Sequence, residues 1–213
     1  MIYGVDTSYA NGIPNWRRAF ADDRVKFVYA RASYGANPAD NDGASFAITH
    51  DACKAASVPF LPYTFWLYGQ PAADQVANYL TAADGRFGLS TIVDVEEGSG
   101  ALGWGSIGEN VLALAATLDL LQVHVGQSII YTNSDTWTTY FGGTDAFAGH
   151  RFAVAHYGVR PGAFGLIPGI VEVVIHQFSD GSGLAPIPGL STPDNNGDRD
   201  VLIAPNFAAL ARR

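Results

Sequence analysis

The chain has 213 residues, 48% hydrophobic and 12% aromatic, enough to bury one sizeable core without disulfides or structural metals. Acids outnumber Lys and Arg 20 to 12, giving a net charge of −8. That balance excludes nucleic acid as a partner, since a phosphate backbone needs clustered cations. Cys53 is the only cysteine, so an intrachain disulfide is excluded as well.

The opening Met1-Ile2-Tyr3-Gly4-Val5-Asp6 reads as a strand over 2–6 rather than as a basic, then apolar export signal. A helix over 14–21 leads to a strand over 25–33. A helix over 42–56, with Cys53 in its core, leads to a strand over 58–67 that ends in the aromatic cluster Tyr63-Thr64-Phe65-Trp66. A helix over 72–83 precedes a strand over 91–96 closing on Asp94-Val95-Glu96. The next helix, 106–123, has the clearest start: Ser106 and Glu109 form a capping box ahead of Val111, Leu114, Ala115, Leu118 and Leu121 at helical spacing. A strand over 128–132, a short helix over 134–140 and a strand over 151–157 follow. Beyond them the Gly- and Pro-rich segments 158–169 and 181–197 flank a strand over 171–178 and precede a strand over 200–203, with a final helix over 205–213. No apolar run reaches the roughly 20 residues of a membrane span, because 111–125 is interrupted by Asp119, Gln122 and His124. A soluble monomer with no membrane partner is expected.

Strands alternating with helices favour a parallel sheet, and eight strands can close into a barrel. The reading is α/β: one domain over 1–213, a degenerate TIM-type barrel with helices after only the first five strands. The active site of such a barrel lies at the carboxyl ends of its strands, where Asp6, Asp94 and Glu96 are expected. Asp94 and Glu96, at i and i+2, leave one face of a strand with Cα atoms roughly 6.5 Å apart. Two carboxylates so placed suit glycosidic-bond hydrolysis, where one donates a proton and the other stabilises the developing oxocarbenium ion. Repulsion and burial beside aromatic rings are expected to leave the proton on Glu96. The tyrosines and tryptophans could stack on sugar faces or simply pack.

Seven short motifs then occur in one order: Asp6-Thr7-Ser8 through Gly12-Ile13-Pro14-Asn15-Trp16, Arg31-Ala32-Ser33-Tyr34-Gly35, Pro62-Tyr63-Thr64-Phe65, Asp94-Val95-Glu96, Ile130-Tyr131-Thr132, Ala155-His156-Tyr157 and His176-Gln177-Phe178, followed by Asp200-Val201. Together they resemble glycoside hydrolase family 25, the Chalaropsis-type lysozymes. The resemblance implies a (β/α)5(β)3 barrel and an N-acetylmuramidase that cuts peptidoglycan between N-acetylmuramic acid and N-acetylglucosamine. By position Glu96 resembles the family's general acid and Asp94 its partner carboxylate, while Asp6 and Asp200 resemble the acids that complete the site. Tyr63, Tyr131, Tyr157 and Gln177 match groove positions, and Phe65 and Trp66 are added as substrate-binding aromatics. Arg31 stands where the family often has Lys, and His176 where it often has Trp. A retaining outcome assisted by the sugar's 2-acetamido group is expected, with Asp94 orienting that group.

Rival signals carry less. Gly98-Ser99-Gly100-Ala101-Leu102-Gly103 spells a dinucleotide fingerprint, but the next helix starts too late and Asp119 falls inside it, so no cofactor is expected. Asp194-Asn195-Asn196-Gly197-Asp198-Arg199-Asp200 resembles a calcium loop without its sixth-position glycine or distal Glu, and His50, His124, His150, His156 and His176 lack ligand spacing, so no metal is expected. The expected partner is bacterial cell-wall peptidoglycan, met at the wall by a phage-type lysin or a catalytic piece of a longer enzyme. A non-catalytic wall-binding barrel and a hydrolase of another N-acetylated glycan such as chitin are the alternatives.

Overall fold

Alternation along each strand sends its side chains to opposite sides of a sheet, and here the sheet closes on itself. The computed structural model describes residues 1–100, 102–190 and 197–211. The strands are β1 (Ile2–Thr7), β2 (Val28–Tyr34), β3 (Phe60–Phe65), β4 (Ile92–Asp94), β5 (Ile129–Asn133), β6 (Arg151–Ala155), β7 (Glu172–Ser179) and β8 (Asp198–Leu202), adjacent in chain order around the barrel. Helices α1 (Trp16–Ala19), α2 (Ala44–Ala56), α3 (Ala72–Ala83), α4 (Ile107–Val125) and α5 (Ser134–Phe141) follow the first five strands, one to two, two to three and so on, on the outside. Among the described residues no helix is long and apolar enough to cross a membrane.

Inward residues Tyr29, Leu61, Tyr63, Ile92, Ile129, Tyr131 and Ile175 form the barrel's filling. Outward residues Val28, Ala30, Val93, Ile130 and Val154 form a second core with Tyr79, Leu114, Leu118, Leu121 and Trp137 of the helix layer. The capping box at α4 is made as expected: Glu109 Oε2 accepts from the Ser106 amide at 2.8 Å and the Glu109 amide donates back to Ser106 Oγ at 3.4 Å. Cys53 is buried on α2.

Three elements differ from expectation. The final helix over 205–213 is only a 3-10 turn, Phe207–Leu210. Leu210 and Phe207 plug the barrel floor, Phe207 edge-on to Phe27 at 6.0 Å, and the buried Arg151 guanidinium donates to the Ala209 and Ala211 carbonyls at 2.5 and 3.0 Å. Those carbonyls are thereby taken from any continuing helix. Arg212 and Arg213 lie outside the described residues. Second, β4 stops at Asp94, so Glu96 follows in the connecting loop rather than on the strand.

The third difference bears on the site. Strands β1 to β7 run parallel to their neighbours, but β8 is antiparallel to both β7 and β1, with Asp6 opposite Asp198 and Gly4 opposite Asp200. An antiparallel closing strand brings its beginning, not its end, to the mouth where the other strands finish.

Candidate active site

At that mouth a cavity of about 60 Å³ is lined by Asp6, Tyr29, Tyr63, Asp94, Glu96, Tyr131, Gln177 and Asp198. Parity on the strands explains the set. Tyr29 two residues before Arg31, Tyr63, Asp94 and Tyr131 are all inward positions of their strands, and β1 delivers Asp6 from its last turn of pleat. Glu96 is held by its own backbone: its amide donates to Ser99 Oγ at 3.0 Å and its carbonyl accepts from the Ser99 amide at 2.9 Å. Upstream, the Val95 amide is tied to the Tyr131 carbonyl at 2.9 Å, so the loop leaves β4 in a fixed direction.

Gln177 organises the other wall. Its Oε1 accepts from the hydroxyls of Tyr131, at 2.7 Å, and Tyr157, while its Nε2 donates to Asp6 Oδ2 and, at 3.2 Å, to the Tyr29 oxygen. Tyr29 in turn donates to Asp200 Oδ1 at 2.6 Å. One amide thus fixes three tyrosines and an acid in a shared network.

The acids titrate as a group because several carboxylates packed together cannot all be charged. Burial, then the Asp198 charge, lifts Glu96 to about 7. Asp198 is raised to about 6 by burial and then by Asp180, with Arg199 pulling the other way. Burial and the Glu96 charge raise Asp94, opposed by the Arg31 cation, and burial with Asp198 and Asp200 raises Asp6. Asp94 Oδ1 is buried without a hydrogen-bond partner among the described residues.

Of the residues read from sequence, Asp6, Asp94, Glu96, Tyr63, Tyr131 and Gln177 meet around this cavity. Tyr157 reaches it through Gln177 and lines, with Glu96, an adjoining pocket of about 580 Å³ over β5 and β6. Asp200 does not line the cavity: it is 0% exposed, one layer deeper against Tyr29, because β8 is reversed. The β8 acid at the mouth is Asp198, which together with Tyr29 the sequence reading missed; the period of two from Asp200 and from Arg31 is the signal that points to them.

The aromatic additions also shift. Trp66, 1% exposed, lies in the outer core with Nε1 donating to Thr117 Oγ1 of α4 at 3.1 Å, as its parity with Thr64 rather than Tyr63 dictates. Phe65 is buried and stacks on Tyr34 with centroids 4.6 Å apart, beside the mouth but not on the cavity. Trp66→Ala is therefore expected to cost about 3–5 kcal/mol of stability. Denaturant unfolding checks the loss, and glycan affinity of the folded fraction should be unchanged.

Gly98, Gly100 and Gly103 lie between β4 and α4, and α4 begins only at Ile107, so these glycines open no helix. Of the calcium-like run, residues 194–196 lie outside the described residues, and among those described no cluster of metal-ligating side chains occurs.

Comparison with known proteins follows the same lines. The family model described as Glycosyl hydrolases family 25 matches residues 5–186, ending before β8. No curated protein sequence matches significantly. Among solved structures, the bacterial lysozyme from Streptomyces coelicolor aligns with TM-score 0.82 and 21% identity over 99% of this chain and 96% of that one. The muramidase from Trichobolus zukalii gives 0.80 and 21% over 100% and 99%. A family 25 lysozyme from Aspergillus fumigatus gives 0.80 and 20% over 100% and 99%. At such identities the likeness is one of fold.

Proposed function

The chain belongs to glycosyl hydrolases family 25, and from that premise we propose that it cleaves the β-1,4 bond between N-acetylmuramic acid and N-acetylglucosamine in bacterial cell-wall peptidoglycan. The observation that carries this reading is a half-buried Glu96 raised to about 7 beside Asp94, Asp6 and Asp198 in a tyrosine-lined mouth. Near neutral pH Glu96 still holds a proton for the leaving oxygen, and the surrounding carboxylates favour the positive charge that develops on the sugar.

Asp94 is assigned the second role. Its partnerless Oδ1 suits the N–H of a 2-acetamido group, which would turn that group's carbonyl oxygen toward C1. The oxygen attacks C1 as the glycosidic C1–O bond breaks and the Glu96 proton passes to the leaving hydroxyl. Water, deprotonated by Glu96, then opens the cyclic intermediate with overall retention. Asp6, Asp198 and Gln177 hold the acid pair and the tyrosines in place, and Asp200 acts from below through Tyr29.

Mass spectrometry of wall digests tests the bond: new reducing ends should be on N-acetylmuramic acid. Ends on N-acetylglucosamine would mean that the other bond of the same glycan is cut, clearing of chitin alone would point to a different glycan, and tight binding without new ends to a non-catalytic barrel. Anomer analysis of the first product tests the route. The β anomer is expected; an initial α anomer would exclude acetamido participation. The site of action proposed is the cell wall.

A further inference from the structure

The acid pair gives the groove a direction. Glu96 lines both the central cavity and the pocket over β5 and β6, so the leaving sugar lies on that side and the sugar that keeps C1 lies toward β2. On the β2 side is a second pocket, of about 500 Å³, lined by Tyr9, Arg31, Tyr34, Asp40 and Asn41. Its inner wall is Arg31, paired in register with Tyr63 of the cavity and close enough to bias Asp94.

Arg31 is 8% exposed and its guanidinium carbon lies 5.0 Å from the Tyr9 ring centre and 5.3 Å from that of Tyr34. Among the described residues only Nε is engaged by a carboxylate, Asp42 Oδ1 at 2.7 Å, and Nη2 is buried with no hydrogen-bond partner. An unsatisfied buried N–H is costly, so Arg31 keeps a donor that an acceptor at this pocket would satisfy. Asp42 balances the Arg31 charge, and Asp40, exposed on the rim, makes the pocket net negative. A free carboxylate is therefore disfavoured, whereas a neutral amide can accept from Arg31 through its C=O and donate to Asp40 through its N–H.

Resting on the muramidase reading, we propose that Arg31 and Asp40 recognise the lactyl amide of an N-acetylmuramic acid that carries its peptide stem. Stripped strands present a free lactyl carboxylate there, and chitin presents only a hydroxyl. The pocket thus selects peptide-bearing glycan.

The test compares kcat/KM on peptide-bearing peptidoglycan, on strands stripped of peptides by an amidase, and on chitin oligomers. The native protein should favour the first over the second by about tenfold or more, the value of one hydrogen bond to a charged group. Arg31→Met should bring the two wall substrates within a few-fold of each other. Asp40→Lys, at an exposed position, should raise the stripped-strand rate and lower or reverse the preference; it decides the matter where Arg31→Met does not fold. Equal native rates on both wall substrates, or a native ratio kept by the folded variants, overturns this inference alone. Chitin cleavage with no hydrolysis of either wall substrate overturns the functional reading, and this inference with it.

Discussion

Glu96→Gln is expected to lower wall hydrolysis by roughly two or more orders of magnitude while leaving glycan binding in place, since it removes the proton donor and keeps its volume. Stability supplies the control. Glu96 folds with its pKa raised to about 7, above its usual value of 4.5, so the folded state binds the extra proton between those values. The resulting stabilisation is fully present below pH 4.5 and is lost as pH rises through 7. At pH 8 the native protein therefore carries an ionised, half-buried carboxylate that Gln lacks. The variant's Tm at pH 8 should equal or exceed that of the native protein, and its stability should vary less between pH 5 and 8. A rate within a few-fold of native would remove Glu96 from the role of acid.

Asp198→Asn is expected to move the alkaline limb of the kcat/KM profile to lower pH by about one unit. Activity needs protonated Glu96 and so falls above about pH 7, and after burial the Asp198 charge is the influence that raises Glu96. Removing that charge lets Glu96 ionise earlier. Asp200→Asn is the matched comparison: Asp200 lies a layer below, hydrogen-bonded to Tyr29, and does not line the cavity. It should leave the limb in place. An unmoved limb in Asp198→Asn, or one displaced equally by Asp200→Asn, would remove Asp198 as the charge that sets Glu96.

The contrast between these two acids shows where sequence reading stops. Strand positions are legible because β-branched and aromatic residues alternate locally, and α3 is found at Ala72–Ala83 as read. The start of α4 is legible through the Ser106–Glu109 box, which is also local. Strand direction is not local. Nothing in the sequence between Ser179 and Asp198 spells the direction of the next strand, yet β8 enters reversed, and that reversal decides between Asp198 and Asp200. Trp66 fails for a different reason: a cluster of aromatics at a strand end suggests stacking, but parity sends Tyr63 inward and Trp66 to α4. The network through Gln177 joins residues from β1, β2, β5 and β7, and only barrel closure brings them within reach.

Because β8 is antiparallel to β1, the pairing of Asp6 with Asp198 joins the earliest and latest segments of the sheet across almost the whole length of the polypeptide. Zipping that seam carries a large loop-closure entropy and comes late in folding, as non-local pairings do. A ribosome-bound chain that has not yet released its last strand therefore has Asp94 and Glu96 but an open trough in place of a mouth.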